Sequence, residues 1–451
     1  MGLMVDLYEL TMACSYFRMG WKQEVTFDLF IRSLPRHRNF LVSAGLESVL
    51  SYLPRFRFTP DGIDYLGSLN LFAPGFLHHL RSLRFTGTVW AIPEGEFFLP
   101  GEPVVRVTAP IVEAQIVETF LLNAVCYETL IATKAARIVC AARGRGVVDF
   151  SPRRDQGAEA AVKAARSSYI AGAIGTSNVL AGRMFGIPVY GTMAHSFVMS
   201  FEDEEEAFRE FAMDFPRHCV LLVDTYDTVE GVQRAIKIAV ELRHRGIELK
   251  GIRLDSGNLL VLSQKAREML DSAGLTDARI MASGDLNEYR IDRLMRAGAP
   301  IDLFGVGTEL GTSADAPALG GVYKLVEFDG KPRIKLSAGK ATLPGRKQVF
   351  RVSDPAGRFL RDIIALEGEN TNETRRGRPL LKCYIRRGRL VEDYPDLTEI
   401  RERCRESLAA LPEDVRSLAP AENQRWRLSR GLRALVRRLS SGHRSRPRLI
   451  A

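Results

Sequence analysis

Hydrophobic and polar positions change their rhythm twice along the chain, and each change marks a different kind of structure. Residues near 6–19 repeat with helical spacing, and VTFDLFIRSLP then alternates as a strand does. TGTVWAIPEGEFFLPGEPVVRVTAP is rich in β-branched and aromatic residues between Gly/Pro turns, so it reads as β structure. A long helical stretch follows from about Ile111 to Ala142. Beyond it, short apolar runs stop abruptly in polar or Gly-rich turns. They are GVVDF, IPVYG, CVLLVD, KGIRL, RIMAS and IDLFG, spaced by roughly 20 to 40 residues. EEEAFREFAMDF, TVEGVQRAIKIAVELRHRG and NLLVLSQKAREMLDSAG between them are amphipathic helices by pattern.

Strands alternating with such helices predict a parallel sheet with right-handed crossovers, either an α/β barrel or a doubly wound sheet. Both folds place ligands at the carboxyl ends of the strands. From about Gly321 the pattern returns to β. VYKLVEFDGKPRIKLS carries Asp-Gly between two alternating runs, a hairpin signal, and QVFRVSDPAGRFLRDIIAL reads as another. The last ~60 residues are helical and charged.

Composition adds little to this picture. With 451 residues, 46% hydrophobic and 26% charged, the chain suits a soluble globular protein of two or three domains. No stretch approaches the ~20 apolar residues that span a membrane. The opening MGLMVDLYELTMA has acidic residues and no basic region, unlike a signal peptide. Cys14, Cys126, Cys140, Cys219, Cys383 and Cys404 form no CxxC pair, so free thiols are expected and no metal site is. The net charge of +9 comes from one place: nine arginines and no acid lie between Arg425 and Arg448. That segment reads as an amphipathic terminal helix with a frayed end. A tether to an anionic surface is the alternative, and nucleic acid is not indicated.

The chemistry concentrates just after the apolar runs. Arg153 and Arg154 in SPRRDQG could hold a carboxylate or phosphate, or pair with Asp155 on the surface. His195 in GTMAHSF could be a base, a ligand, a nucleophile toward phosphorus, or a structural residue. Asp224 ends a neighbouring run and is placed to orient it. GIRLDSG brings Arg253, Asp255 and Ser256 together. The turns ASGDLNE, with Gly284 and Asp285, and FGVGTELG, with Gly305, Gly307 and Thr308, precede helices and suit a phosphate. Lys335, Lys340, Arg346 and Lys347 form either a surface charge run or a basic loop for a pyrophosphate or triphosphate.

DLYELTM, FIRSLP, RNFLVSAGLESVL, GTSNVLAG, GTMAHSF, DTYD, GIRLDSGNL, SGDLNE, FGVGTELGTS and LGGVYKLVE also follow one another as in nicotinate phosphoribosyltransferases. The chain resembles that family over roughly residues 3 to 350. It begins close to DLYELTM, where the resemblance leads one to expect a few further leading residues.

The resemblance implies a type II phosphoribosyltransferase fold: an irregular α/β barrel at 143–320, and a mixed α+β domain built from 1–142 and 321–424, followed by the Arg-rich tail 425–451 with a disordered end. It implies a cytoplasmic homodimer with sites at the interface. The implied reaction is ATP-coupled transfer of phosphoribosyl from phosphoribosyl pyrophosphate to nicotinate in NAD salvage, a ligase-class activity, with Mg²⁺ accompanying the phosphates. By the same resemblance His195 is the histidine that ATP phosphorylates and Asp224 its orienting partner. Tyr8 stacks on the pyridine from the second subunit, and Arg153 or Arg154, with Arg253, brackets the carboxylate and pyrophosphate. Asp255 holds the ribose, and Gly284, Asp285, Gly307 and Thr308 form the 5′-phosphate pocket. Ser177 faces the substrate's acid group, and Arg32, Lys335 and Lys347 are pyrophosphate or ATP contacts. A nicotinamide-using relative and a non-catalytic dimeric scaffold are the rival readings.

Overall fold

The computed structural model describes residues 2–337, 339–391, 393–421 and 425–444. The chain forms two compact units, Met1–Leu130 with Ala318–Ala451, and Ile131–Pro317. The first unit boundary lies inside the helix Glu118–Ala141, twelve residues before the 142/143 division read from the sequence. Apolar periodicity along a continuous helix carries no mark of which body each turn packs in. The helical stretch from Ile111 is two helices, Ile111–Ile116 and Glu118–Ala141, parted at Val117.

The first unit is built on a seven-stranded sheet in which Glu24–Ile31 is an inner strand. That strand pairs antiparallel with Pro103–Pro110 on one side and with Gly321–Phe328, from the far end of the chain, on the other. The mixed domain is therefore made from N- and C-terminal segments. Phe27 and Tyr323 stack across the pairing, ring centres 4.6 Å apart, in a core that includes Leu10, Ala13, Leu29 and Phe76. Gly321–Phe328 turns back onto Lys331–Pro332 through Asp329 and Gly330, both at positive φ, as an Asp-Gly hairpin turn requires. Lys347–Ser353 and Phe359–Leu366 form the second hairpin.

At the C-terminus Trp426–Leu428 pairs parallel with Phe359–Leu366, a strand where the pattern had suggested the start of a helix. The helix itself is Arg430–Arg444, with Leu432 and Leu435 buried. The end of the tail, expected to be frayed, lies outside the described residues. All six cysteines are free thiols.

The second unit contains six parallel strands: Gly146–Asp149, Gly175–Thr176, Val220–Leu222, Gly251–Leu254, Arg279–Ala282 and Leu303–Val306. Each neighbours the next in sequence except the second and third, and the sixth pairs back onto the first. That return makes a barrel rather than a doubly wound sheet. IPVYG is not a strand. Pro188 has no N–H to give a ladder, and the segment makes one parallel bridge, Val189 to Thr176. Between it and the third strand no ladder forms among the described residues, so the barrel is irregular there. Asn178, Asp227, Asn258 and Asn287 each accept a backbone N–H in the first turn of the following helix, fixing where each helix begins. Among the described residues no helix is long and apolar enough to cross a membrane.

Candidate active site

Arg253, within the fourth barrel strand, is the most heavily engaged cation at the strand ends. Its Nε donates to Ser283 Oγ at 2.8 Å, one terminal nitrogen to Asp255 at 2.7 Å, and the other to Thr192 Oγ1 at 3.3 Å. The guanidinium carbon stands 5.4 Å from the centre of the Phe150 ring. Four contacts on four segments leave the side chain little freedom, so its charge is pre-placed.

Asp255 sits in the opposite electrostatic situation to most buried carboxyls. Burial alone would raise its pKa, but the Ser283 hydroxyl and the Arg253 charge outweigh that and hold it below the ordinary value. Its second oxygen lies 3.8 Å from His195 Nε2. His195 opens the short helix His195–Val198, and its Nδ1 is 3.1 Å from Thr225 Oγ1.

Asp224, expected beside His195, is not hydrogen-bonded to it in this arrangement. One oxygen accepts from the Asp255 N–H at 2.9 Å and from Ser256 Oγ at 2.6 Å, and the other is buried without a hydrogen-bond partner. The cause is backbone geometry. Val223 N–H still bonds the Arg253 carbonyl, so Asp224 emerges beside the N–H of Asp255 and is captured by it. Thr225, one position on, meets the imidazole instead.

Arg153 and Arg154 are exposed, and neither pairs with Asp155, whose carboxylate turns inward to Ser151 Oγ at 2.9 Å. Burial pushes Asp155 up to about 6. Asp149, at the end of the first strand, is wholly buried. It accepts from Ser151 N–H, Ser151 Oγ and Thr176 Oγ1, while its own carbonyl accepts from Ser177 N–H. One carboxylate thus ties the loop carrying the two arginines to the loop carrying Ser177.

Gly284 has φ +89°, and a Cβ there would lie 2.0 Å from the Asp255 carbonyl oxygen. Only glycine fits, and Asp285 follows it in the left-handed region at φ 47°. Gly307 leads into the helix Thr308–Gly311, with Thr308 exposed. A cavity of about 1090 Å³ runs from Phe150, Tyr190 and Thr192 to Gly251 and Arg279 at the strand starts. It reaches two of the four residues that hold Arg253.

Phe150, Thr192, Thr225 and Ser283 were not singled out in the sequence. Phe150 closes GVVDF and Ser283 lies in ASGD, so position after a strand was the available signal. Among the described residues no group of three or more His, Cys, Asp or Glu is set to hold a metal ion.

The remaining candidates belong to the first unit. Tyr8 is half exposed, and burial together with the Glu118 charge raises its phenol. Arg32 donates to the Gly339 carbonyl at 3.1 Å, and Lys335 is exposed. Lys347 is not a surface contact for phosphate. It is 2% exposed, its ammonium pairs with Asp28 at 2.8 Å and donates to the carbonyls of Leu343 and Gly345. A strand alternates faces, and Lys347 begins one on its inward face.

Three family descriptions match consecutive parts of the chain. The nicotinate phosphoribosyltransferase N-terminal domain matches residues 3–126, the family's central description residues 146–349, and its C-terminal domain residues 346–435. A nicotinate phosphoribosyltransferase of Mycobacterium tuberculosis is 48% identical over 418 residues, 92% of this chain and 89% of the relative. One from Bacillus subtilis is 42% identical over 450 residues, 94% of this chain and 91% of the relative. The crystal structure of human nicotinic acid phosphoribosyltransferase matches with a TM-score of 0.86 at 31% identity, over 96% of this chain and 99% of that one.

Proposed function

The chain belongs to the nicotinate phosphoribosyltransferase family, and from that premise we propose that it joins nicotinate to the phosphoribosyl group of phosphoribosyl pyrophosphate, coupled to ATP, in NAD salvage. The pyridine nitrogen forms a bond to C1 of the ribose as the bond from C1 to the pyrophosphate oxygen breaks, and pyrophosphate leaves. In the coupled reaction ATP and water become ADP and phosphate by way of a phosphoryl group carried on His195. Mg²⁺ enters with the phosphates as part of the substrates.

The observation that carries this reading is the constellation of Arg253, Asp255 and His195 at one set of strand ends. Arg253 is a fixed positive charge for an anionic substrate, and Asp255, ionised, suits ribose hydroxyls or the positive charge that grows at C1. His195 keeps Nε2 toward Asp255, which would steady a phosphorylated or protonated ring. Gly284 and Asp285 after the fifth strand, and Gly307 and Thr308 after the sixth, receive the 5′-phosphate. Arg153 and Arg154, exposed and unpaired with Asp155, supply charge for the nicotinate carboxylate. Ser177 is neutral; an aspartate there would set like charges together, at a cost of several kcal/mol in a desolvated pocket. Phe150, already beneath Arg253, offers the pyridine an aromatic face within the cavity.

The protein would act in the cytoplasm as a homodimer, with Tyr8 of a second copy completing the pyridine site. Arg32 and Lys335 stand as contacts for pyrophosphate or ATP.

The test is mononucleotide formation from nicotinate and from nicotinamide, each with and without ATP, by wild type and His195→Ala. Nicotinate should be the strongly preferred base, ATP should raise its yield, and His195→Ala should keep some uncoupled transfer. ATP hydrolysis at the wild-type rate in His195→Ala would remove His195 from the coupling step. Preference for nicotinamide would overturn the substrate assignment.

A further inference from the structure

Lys134 and Arg137 lie one turn apart in the second half of the helix Glu118–Ala141, and both are buried, at 0% and 1% exposure. Neither belongs to the constellation described above. The Lys134 ammonium is 2.6 Å from Glu288, 2.9 Å from Asp315 and 3.4 Å from Glu309. Arg137 Nε holds the other oxygen of Glu288 at 3.1 Å, and a terminal nitrogen of Arg137 donates to the Tyr289 hydroxyl at 3.1 Å.

The three carboxylates come from two different strand ends. Glu288 opens the helix Glu288–Arg296, directly after the turn that carries Gly284 and Asp285. Glu309 is the second residue of Thr308–Gly311, directly after Gly307, and Asp315 lies a few residues beyond. The fifth and sixth strands are paired only at Met281–Leu303 and Ala282–Phe304, so the ladder ends before either turn begins. Past that point the Lys134 ammonium spans both segments. A buried ammonium has strong need of anionic partners, and here it donates to Glu309 and Asp315 of one segment while standing in close ion-pair contact with Glu288 of the other.

We propose that Lys134 is a positioning residue for the phosphate pocket: it sets the spacing between the turn bearing Gly284 and Asp285 and the turn bearing Gly307 and Thr308. The proposal rests on reading those turns as the 5′-phosphate pocket. Removing the ammonium leaves Glu309 and Asp315 facing Glu288 with one cation fewer, and like charges then push the two turns apart. Displacement of that kind changes the fit to a phosphate held by both turns, while His195 and Ser177, on other segments, keep their own contacts to Thr225 and to Asp149.

Lys134→Met keeps the aliphatic stem and deletes the charge. It should raise KM for phosphoribosyl pyrophosphate by about tenfold or more, since a misplacement near 1 Å is worth as much as a hundredfold, and change KM for nicotinate far less. Lys134→Arg, which keeps the charge, should recover part of the loss. Glu309→Gln loosens only the arm to the sixth-strand turn. It is the variant to rely on if Lys134→Met does not fold, because the Glu309 side chain is 30% exposed. It should shift the same constant in the same direction by a smaller factor.

A purely structural role would lower thermal stability and active fraction in both variants with KM for phosphoribosyl pyrophosphate unchanged, and that result overturns the proposal. Thr308→Val separates the two ideas. If it raises KM for phosphoribosyl pyrophosphate while Lys134→Met and Glu309→Gln do not, the pocket stands and Lys134 does not position it. If all three leave that constant unchanged, the turns bind no phosphate and the proposal falls with the pocket.

Discussion

Two lysines are wholly buried among the described residues, one in each unit, and their surroundings differ in kind. Lys347 lies in the antiparallel unit beside Asp28, and its other two donors go to the carbonyls of Leu343 and Gly345, both within four residues. Burial lowers its pKa despite the Asp28 charge, and burial raises that of Asp28. Lys134 lies in the barrel unit and is shared by three carboxylates on segments far apart in the chain. Both sites bear the desolvation of an ammonium. One secures a scaffold whose strands are already paired on either side. The other links two turns past the end of their ladder. Burial of charge therefore does not by itself mark function; what matters is whether the partners would hold their places without it.

The largest effect should separate the two lysines outright. Lys347→Met leaves Asp28 buried and unpaired, which costs about 3–5 kcal/mol, seen as a fall in thermal midpoint. The folded remainder should keep its KM for phosphoribosyl pyrophosphate, and Asp28→Leu with Lys347→Met should regain much of the stability. A Lys347→Met protein of normal stability and weakened substrate binding would break the comparison.

Two glycines sharpen it at a smaller scale. Gly284→Ala, at φ +89° and against the Asp255 carbonyl, should cost about 1–3 kcal/mol of strain and reduce activity, because the strained atoms adjoin the site. Gly330→Ala in the hairpin of the other unit has φ +68° and no atom within 4 Å. It should cost about 1 kcal/mol and leave kcat and KM alone. Equal losses of activity would mean that the two turns are not functionally distinct.

Smaller still is a contrast in pH dependence. Glu9 in the first unit is raised to about 8, chiefly by burial, whereas Asp255 in the barrel is held below its ordinary value. The folded state binds the Glu9 proton more tightly than the unfolded chain does. Its contribution is complete below about pH 4.5 and is lost as pH rises toward 8. Asp255 contributes above its unfolded value near 3.8 and loses that as acid protonates it. Glu9→Gln should therefore flatten the fall in thermal midpoint between pH 5 and 8, and Asp255→Asn should not. A Glu9→Gln profile parallel to wild type would show that Glu9 ionises normally.

Least of all should come from the tail. A stop after Gly442 removes polar, Arg-rich chain, and stability should change by less than about 0.5 kcal/mol with activity intact. A large loss would give those arginines a place in the site or between subunits.

What could be read in the sequence was local. The Asp329–Gly330 hairpin, the helix starts, and the glycine turn at Gly284 follow from backbone preferences that act over a few residues. Asp255 and His195 stood out because each follows an apolar run, and Arg253 because it interrupts the end of one; strand ends are where a parallel fold exposes polar chemistry. Tertiary structure decided the rest. Whether six strands make a barrel depends on Leu303–Val306 finding Gly146–Asp149, a pairing that leaves no trace in either segment. Thr225 rather than Asp224 meets His195 because the Asp255 N–H, some thirty residues on, claims the carboxylate first. Lys347 looked like part of a basic loop, yet its partner Asp28 lies more than three hundred residues earlier. Lys134 carried no local signal at all. Sequence pattern records what a segment prefers in isolation; which charge it meets when buried is set by closure of the chain over long distances, and no window of neighbouring residues contains that information.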